Sequence, residues 1–432
     1  MIKNTSIKGL IEILKSSNID FGYIVRQNEK LVVSNKALEP LKDLVTNLEA
    51  FDEHEGIFLG FNPAFPTVFF AFVHNTNRGL SQGGLRFTGY GDDLSAVLND
   101  GLRLSQGMSR KNAVSGLWWG GGKGVIPVTE ELLDKTFGGD INDRTKRDEL
   151  FAAYGEFVAK LNGIYYTAAD IGTYGTDMKA ILGKNRFVTC IPPELGGSGD
   201  PSPHTAEGVF RAIKAVVGKD DLSGLSVAVQ GAGKVGKPLV KKLTDAGAEI
   251  FVSDLGFEIK KDSLENFRQE FPAAEIVPTG QGHENDIFGL EVDIIAPCAR
   301  GGVINQETIE HINPSVKIVC GGANNILGNE GKDGETLYEK GIIYIPDFVC
   351  NWMGIVNCAN EAFGYLEEDV EEKLENVAPT VKLILDTAKE KSISHTEAAH
   401  LLADEKIKEI PPLDLLVGRG KRLTQKVIKA NS

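Results

Sequence analysis

The sequence contains few of the features that mark secreted, membrane-spanning or metal-binding proteins. Its 432 residues include only five cysteines, an odd number with no C-x-x-C spacing, which argues against a disulfide framework and against a thiolate metal site. Most of them lie in apolar runs such as VKIVC and YIPDFVC, where cysteine behaves as a small hydrophobic residue. We therefore expect reduced thiols, no bound metal and a cytoplasmic protein. The five residues are Cys190, Cys298, Cys320, Cys350 and Cys358.

Basic residues are also in the minority. The chain has 46 lysines and arginines against 60 aspartates and glutamates, which gives a formal net charge of −14. A surface of this sign repels nucleic-acid phosphates and anionic lipids, so we expect neither nucleic acid nor a membrane as a partner. No stretch approaches the ~20 consecutive apolar residues that span a bilayer, and the N-terminal segment lacks the apolar core of a signal peptide.

What the sequence does have is the composition of a globular protein, with 42% apolar and 25% charged residues. The first 65 residues contain helix-like and strand-like fragments without a chemical signature. The pattern then predicts a strand over 66–74, a glycine-rich loop over 76–87, and helices over 92–114 and 147–163. After about residue 200, short β-like runs alternate with helical stretches, which is typical of a parallel sheet with helices on both faces.

A glycine motif in the second half predicts a dinucleotide site. Gly231, Gly233 and Gly236 form G-x-G-x-x-G directly after the apolar run LSVAVQ, and a helical pattern follows. Such glycines allow a tight turn, close approach of a pyrophosphate and close packing of helix on strand. Asp254 ends the next strand, where a carboxylate accepts from ribose hydroxyls and repels a 2′-phosphate, although it could instead simply cap the next turn. We predict NAD, bound by Gly231, Ala232, Gly233, Lys234, Val235, Gly236 and Asp254.

Two lysines in the first half are candidates for acid–base chemistry. Lys111 lies in MSRKNA and Lys123 in GGGK, 12 residues later. A lysine has an ordinary pKa near ~10.4, but burial or a second ammonium lowers it, so that one amine can act as a base while the other binds an anion. Asp170, in AADIGT, follows a strand-like run at a position typical of functional carboxylates. The alternative is a solvated glycine-rich loop with Asp170 as a turn cap.

Together these segments resemble the glutamate/leucine/phenylalanine/valine dehydrogenase family. The resemblance runs from about Val73 to about Ala359, and its matching runs occur in family order. The run around 196–209 is most similar to the leucine and phenylalanine branch. The matching runs are VH…GGLRF, GMSRKNAVSGL, GGGKGVI, TAADIGT…DM, GGSGDPSPHTAEGV, GAGKVG, APCARGGVIN, GGANNIL and IPDFVCN…G.

The resemblance implies a role for each matched residue. Lys123 matches the general base that acts on water, Lys111 the lysine that holds the substrate α-carboxylate, and Asp170 the carboxylate that handles the amine proton. The amino acid would lose a hydride to NAD, and water activated by Lys123 would add to the resulting iminium, releasing ammonia and a 2-oxo acid. Further positions are Gly83 and Gly84 along the substrate, Thr205 near the cofactor and Asn325 near the substrate.

Several residues depart from the family pattern near the expected substrate side chain. Gln82, before GGLR, stands where glutamate enzymes carry a lysine and leucine enzymes an apolar residue. Trp352 and Met353 replace two small residues, which either fill a core gap or reshape the pocket, and Ile355 and Cys358 follow them. We therefore expect an apolar, aromatic or polar neutral amino acid as substrate rather than glutamate. A glutamate dehydrogenase and an inactive NAD-binding regulatory homologue remain the alternatives.

The expected architecture is α/β, with two domains. Residues 1–199 would form a substrate-binding and oligomerisation domain, completed by helices of 361–432 that fold back onto it. Residues 200–360 would form a Rossmann NAD-binding domain, with the active site in the cleft between the two. The family resemblance also implies a homo-oligomer.

Overall fold

A computed structural model describes residues 6–409, which form two compact units. Of the described residues, the first unit holds 6–199, 358–366 and 405–409, and the second holds 200–357 and 367–404. The parts of the predicted N-terminal domain at 1–5 and 410–432 lie outside the described residues. None of the described helices is long and apolar enough to cross a bilayer.

The first unit is built on a seven-stranded mixed sheet of order β2-β1-β3-β4-β6-β5-β7. Strands β5, β6 and β7 pair in parallel, whereas the others pair antiparallel. The strands are β1 (Phe21–Gln27), β2 (Lys30–Val33), β3 (Gly56–Gly60), β4 (Phe69–Asn75), β5 (Ser81–Gly89), β6 (Gly120–Val128) and β7 (Tyr165–Ala169). The helices are α1 (Ile7–Ser16), α2 (Glu39–Thr46), α3 (Leu94–Val114), α4 (Glu130–Phe137), α5 (Arg144–Lys160) and α6 (Gly175–Leu182).

Each face of this sheet carries an apolar core. Leucines of α3, including Leu98 and Leu102, pack with Phe70 and Phe72 of β4 in one core, and aromatic residues of α5 pack with Leu85 and other residues of β5 in a second. Because side chains alternate along a strand, β4 and β6 each contribute to both cores. The helices predicted over 92–114 and 147–163, and the strand predicted over 66–74, are confirmed within a few residues at their ends.

The prediction of a loop over the whole of 76–87 is wrong, because residues 81–89 form strand β5 in the middle of the parallel part of the sheet. Glycine here serves close packing rather than a turn. A Cβ at Gly83 would lie 1.6 Å from the carbonyl oxygen of Gly122 on β6, so no other residue fits at that position. The glycines of this segment therefore indicate a crowded backbone rather than a loop.

The second unit holds a six-stranded parallel sheet of order β10-β9-β8-β11-β12-β13. This is the doubly wound order of a Rossmann fold, as predicted. The strands are β8 (Ser226–Gln230), β9 (Glu249–Ser253), β10 (Glu275–Ile276), β11 (Ile294–Pro297), β12 (Ile318–Val319) and β13 (Ile343–Tyr344). The helices that begin in this unit are α7 (Ser202–Val217), α8 (Gly236–Asp245), α9 (Leu255–Ile259), α10 (Lys261–Glu270), α11 (Gln306–His311), α12 (Glu330–Glu339), α13 (Asp347–Cys350), α14 (Met353–Asn360), α15 (Glu367–Leu374), α16 (Val377–Lys391) and α17 (His395–Ile407). The last residues of α14 and α17 belong to the first unit.

The C-terminal helices form as expected, but they are divided between the units. Residues 367–404 cluster with the second unit, so the prediction that all of 361–432 completes the first unit is wrong for them. The reason is the apolar stripe of α16, whose Val381 and Ile384 are fully buried and which packs against α7. An ion pair between Arg211 of α7 and Glu375, 2.8 Å apart, reinforces the same contact. Only 358–366 and 405–409 cluster with the first unit.

Two glycines of α3 offer a matched test of this packing. A Cβ at Gly101 would lie 2.1 Å from the ring of Phe72, whereas a Cβ at Gly107 meets no described atom within 4 Å. We expect Gly101→Ala to lower the free energy of unfolding by about 1–3 kcal/mol through overpacking. Gly107→Ala should raise it by up to about 1 kcal/mol, because alanine favours a helix interior.

Chemical denaturation of both variants beside the wild type checks the pair. Equal midpoints for the two variants would show that α3 does not pack against β4 as described.

Candidate active site

Lys123 projects from β6, a strand that is buried over nearly its whole length. Residues 120–126 of β6 are all buried, and four of the first five are glycines. A Cβ at Gly121 would lie 2.2 Å from the hydroxyl of Ser109 on α3, and a Cβ at Gly124 would lie 2.3 Å from the hydroxyl of Tyr154 on α5. The strand is thus enclosed on both faces, and Lys123 is the one side chain between residues 120 and 124.

Asp170 meets this lysine at the carboxyl end of β7. The ammonium nitrogen Nζ of Lys123 donates to Oδ2 of Asp170 at 2.5 Å, and both side chains are largely buried. The backbone N–H of Asp170 donates to the hydroxyl of Thr173 at 2.8 Å, and that hydroxyl donates to the carbonyl of Leu85 on β5. These bonds fix the position of the carboxylate relative to the sheet.

Burial and charge both act on this pair. Burial lowers the pKa of Lys123 below its ordinary value, and the positive charge of Arg86 adds to this, while Asp170 and Asp100 oppose it. Burial by itself raises the pKa of Asp170, but the charges of Lys123 and Arg86 outweigh burial and hold it at about 2. Asp170 is therefore an anion at neutral pH, and Lys123 gives up its proton more readily than an exposed lysine does.

Arg86 is a residue of this cluster that the sequence analysis missed. Its Nε donates to Oδ2 of Asp170 at 3.2 Å, on the same oxygen that Lys123 contacts. The available signal was its spacing, because Arg86 stands two residues after Gly84 and therefore on the same face of a strand. In the predicted loop over 76–87 this spacing has no meaning, because only a strand places alternate residues on one face.

The other residues of the GGLR segment occupy the two faces of β5. Gln82 and Gly84 alternate onto the face of Lys123, since Gln82 is paired with Gly121 on β6 and strand residues alternate. A Cβ at Gly84 would lie 2.7 Å from the Cβ of Asp170, so this glycine makes room for the carboxylate. Gly83 alternates onto the opposite face, against β6 and the hydroxyl of Tyr165. Both glycines therefore have a packing reason of their own.

Lys111 lies in the last turn of α3, whose end is anchored to strand β6. The amide Nδ2 of Asn112 donates to the carbonyl of Gly120 at 2.7 Å. Nδ1 of His74 on β4 lies 2.7 Å from the hydroxyl of Ser109. The helix turn that carries Lys111 is thus held by hydrogen bonds to β4 and β6. The 12-residue spacing between Lys111 and Lys123 corresponds to the end of this helix followed by the neighbouring strand.

The glycine turn of the second unit fits a dinucleotide. A Cβ at Gly231, whose φ is +98°, would lie 2.8 Å from Cβ of Ala299, and a Cβ at Gly236 would lie 1.8 Å from the carbonyl oxygen of Gly231. A Cβ at Gly233 would meet no described atom within 4 Å, so the turn is open at its middle glycine, where a pyrophosphate approaches such turns. Just before the turn, Oε1 of Gln230 is buried without a hydrogen-bond partner among the described residues.

Asp254 follows the second strand of the sheet directly, as predicted. Its Oδ2 accepts from the backbone N–H of Ala232 at 2.7 Å, and its Oδ1 accepts from the backbone N–H of Gly256 at 2.6 Å. It therefore caps α9 and also ties the glycine turn to the end of β9. Lys234 of the same turn is exposed and forms an ion pair with Asp200 at 3.0 Å.

The remaining predicted positions are distributed over both units. Thr205 is on α7 and donates to the carbonyl of Pro201, and the backbone N–H of Asn325, a residue with φ +52°, donates to Asp347. Ile355 is partly buried on α14. Cys358 belongs to the first unit, with its Sγ 2.8 Å from that of Cys190 in the apolar core.

Trp352 and Met353, the departures from the family pattern, are fully buried in the second unit. A Cβ at Gly208 of α7 would lie 3.0 Å from Cγ of Met353, so this methionine packs directly on the helix. The indole N–H of Trp352 has no hydrogen-bond partner among residues 6–409. Their packing matches the first of the two predicted alternatives, in which large side chains fill a core gap.

These groups supply a defined chemistry. The first unit offers a buried amine of lowered pKa, paired with an ionised carboxylate, which can exchange protons with a bound molecule. The second offers a glycine turn at the N-terminus of a helix, which accepts a pyrophosphate. A proton acceptor and a dinucleotide site are the two requirements of a dehydrogenase that also releases or adds ammonia.

Comparison with known proteins identifies the family. Residues 196–411 match glutamate/leucine/phenylalanine/valine dehydrogenase, and residues 68–186 match the Glu/Leu/Phe/Val dehydrogenase dimerisation domain. Leucine dehydrogenase from Geobacillus stearothermophilus is 40% identical over 339 residues, which are 78% of this chain and 85% of that protein. The chain belongs to the glutamate/leucine/phenylalanine/valine dehydrogenase family. The resemblance noted from the sequence motifs is thereby confirmed.

Other similar proteins are named as dehydrogenases of aromatic amino acids. Phenylalanine dehydrogenase from Caldalkalibacillus thermarum is 36% identical over 366 residues, or 84% of this dehydrogenase and 93% of that protein. The crystal structure of L-tryptophan dehydrogenase from Nostoc punctiforme has a TM-score of 0.67 and 32% identity, and covers 86% of this chain and 98% of that one. This dehydrogenase is therefore an oxidoreductase that deaminates an amino acid oxidatively with a nicotinamide cofactor.

Variants at two glycines of the turn at 231–236 distinguish an effect on cofactor binding from an effect on folding. In this dehydrogenase, Gly233→Ala fills open space, so we expect NADH affinity to fall by about tenfold or more with an unchanged melting temperature. Gly236→Ala places a Cβ 1.8 Å from the oxygen of Gly231, so it should lower the melting temperature as well.

Fluorescence titration with NADH and thermal unfolding of both variants check this. Wild-type NADH affinity in Gly233→Ala would contradict the placement of the pyrophosphate at this turn.

Proposed function

We propose that the protein catalyses the reversible, NAD-dependent deamination of an L-amino acid other than glutamate, with an apolar, aromatic or polar neutral side chain. The observation that carries the proposal is the buried contact of 2.5 Å between Lys123 and Asp170. The names of similar proteins, which include leucine, phenylalanine and L-tryptophan dehydrogenases, support the choice of substrate class.

Within this proposal each residue of the first unit has one task. Neutral Lys123 accepts a proton from the water that attacks the substrate α-carbon, which its lowered pKa favours. Asp170, ionised at neutral pH, exchanges a proton with the substrate amine nitrogen. Lys111 binds the substrate α-carboxylate as a cation. Gly84 leaves a stretch of backbone without a side chain beside Asp170. The nicotinamide cofactor, when bound, accepts the hydride of the α-carbon.

The second unit supports NAD rather than NADP. Asp254 stands at the end of β9, where its charge disfavours a 2′-phosphate, and its backbone contacts hold it beside the glycine turn. Residues 231–236 hold the pyrophosphate in this proposal, and Thr205 on α7 is a further cofactor contact. Each carboxylate oxygen of Asp254 accepts one backbone hydrogen bond, which leaves one lone pair on each for a ribose hydroxyl.

Gln82 supports a substrate whose side chain can donate a hydrogen bond. The residue is 1% exposed, and its Oε1 has no hydrogen-bond partner among the described residues. A buried acceptor without a partner is costly unless a ligand satisfies it. Gln82 also lacks the positive charge that a glutamate side chain would need. We infer that this position accepts a substrate side chain with an indole or amide N–H, and that it also accepts an aliphatic side chain.

Assembly and compartment follow from two further observations. The match of residues 68–186 to a dimerisation domain supports a homo-oligomer, and one solved structure with the same fold is named a hetero-hexameric glutamate dehydrogenase. All five cysteines are free thiols, four of them buried, which suits the reducing cytoplasm. We propose a cytoplasmic homo-oligomer on this basis.

Lys123→Ala tests the proposed base. We expect kcat with NAD⁺ to fall by about 10²–10⁴ across a panel of L-amino acids, while NADH affinity stays at the wild-type value. Lys135→Ala is the matched control, because Lys135 is an exposed lysine of the same unit that pairs only with Glu131 in the residues described. Activity of Lys123→Ala comparable to that of Lys135→Ala would defeat the assignment.

Gln82→Leu tests the proposed substrate contact. Removing the acceptor should lower kcat/KM for tryptophan or glutamine relative to leucine by about tenfold, because a donor-bearing side chain then loses its partner. The ratio of kcat/KM values for the two substrates cancels any general loss of activity. An unchanged ratio would place Gln82 outside the substrate pocket.

A further inference from the structure

Behind Asp170 lies a second buried ion pair that the proposed reaction does not use. Nη1 of Arg86 donates to Oδ2 of Asp100 on α3 at 2.7 Å, while Nε of the same guanidinium donates to Asp170 at 3.2 Å. The side chains of Arg86 and Asp100 are only 13% and 14% exposed. Lys123, Asp170, Arg86 and Asp100 therefore form a row of alternating charges from the strand β6 to the helix α3.

Asp100 is held in place by further donors. The hydroxyl of Tyr90, just beyond the end of β5, donates to Oδ2 of Asp100 at 2.6 Å, and Nη2 of the exposed Arg103 lies 3.5 Å from Oδ1. Burial raises the pKa of Tyr90, so this hydroxyl stays protonated and donates at any ordinary pH. The far end of the row is thus fixed in position and in charge.

The near end of the row is shared. Oδ2 of Asp170 accepts from both Lys123 and Arg86, so the two cations compete for one oxygen of one carboxylate. Of the elements packed around Lys123, β4 places the uncharged Phe72 opposite it, and α3 adds two charged groups, Asp100 in the row and Lys111 in its last turn. Burying four charges is worthwhile only if they satisfy one another.

We propose that Arg86 is a positioning residue for the Lys123–Asp170 pair and that Asp100 offsets its charge, so that the two together set the pH range in which the enzyme is active. This inference rests on the proposed role of Lys123 as the base. Arg86 touches the carboxylate and not the base, so it acts through Asp170. Asp100 acts through Arg86 by fixing the guanidinium and by partly cancelling its field.

The two residues have opposite electrostatic effects on Lys123. The charge of Arg86 lowers the pKa of Lys123 and also that of Asp170, whereas the charge of Asp100 raises the pKa of Lys123. Because activity requires neutral Lys123, kcat/KM rises with pH as this amine loses its proton. Loss of Arg86 therefore moves the acidic limb of the profile to higher pH, and loss of Asp100 moves it to lower pH.

The test is the pH dependence of kcat/KM in a small set of variants. Arg86→Met should move the acidic limb up by about one pH unit or more, because the cation that shares Asp170 with Lys123 is lost, and Asp100→Asn should move it down, because the anion that offsets this cation is lost. Arg86→Lys should restore the limb towards the wild-type position while kcat stays reduced, because a lysine keeps the charge but not the two-pronged contact. Lys135→Met is the control, since that exposed lysine pairs with Glu131 outside the row and should shift the limb by no more than about 0.2 units.

NADH affinity and melting temperature of every variant separate these effects from misfolding. Opposite shifts in Arg86→Met and Asp100→Asn, at wild-type NADH affinity, support the proposal. Limbs that coincide with the wild type, or that move in the same direction in both variants, overturn it. If Arg86→Met does not fold, the sign of the shift in Asp100→Asn decides alone. Failure of the proposed function is recognised separately, by a wild-type enzyme without activity on any L-amino acid.

Discussion

The site of the first unit depends on one interaction, the contact between an ammonium and a carboxylate in an interior that holds little water. Removing an ammonium and a carboxylate from water costs several kcal/mol each, so Lys123 and Asp170 are tolerated only because they contact one another and because Arg86 donates a further hydrogen bond to the carboxylate. The same desolvation keeps the amine of Lys123 easy to deprotonate. Stability and reactivity at this position therefore have one physical origin.

The glycines of β5 and β6 provide the enclosure that this pair requires. At Gly83, Gly121 and Gly124 a side chain would collide with the backbone of β6, with α3 or with α5. The backbone of the strand is thereby packed against helices and aromatic rings on both faces, which leaves little room for water around the lysine. A glycine-rich sequence, usually associated with mobility, here produces one of the most densely packed parts of the chain.

The second unit follows a different principle, because its proposed cofactor site lies in a local backbone turn rather than in a buried cluster. Gly231 and Gly236 close the turn on the protein side and Gly233 leaves it open, while Asp254 ties the turn to the neighbouring strand. Trp352 and Met353 change the interior of this unit rather than the turn, since both are fully buried. A large change of side-chain volume can thus be absorbed in the core while the cofactor turn is kept.

Local sequence patterns determined what depends on a few consecutive residues: the glycine turn before α8, the alternation of strands and helices, and most helix and strand positions. Tertiary structure alone decided that residues 81–89 are a strand, that 367–404 pack with the second unit, and that Arg86 links Asp170 to Asp100. The physical reason is that hydrogen-bonded turns and amphipathic periods are set by neighbours in sequence. Packing of glycine backbones, docking of an apolar helix face and buried charge networks depend instead on segments far apart in the chain.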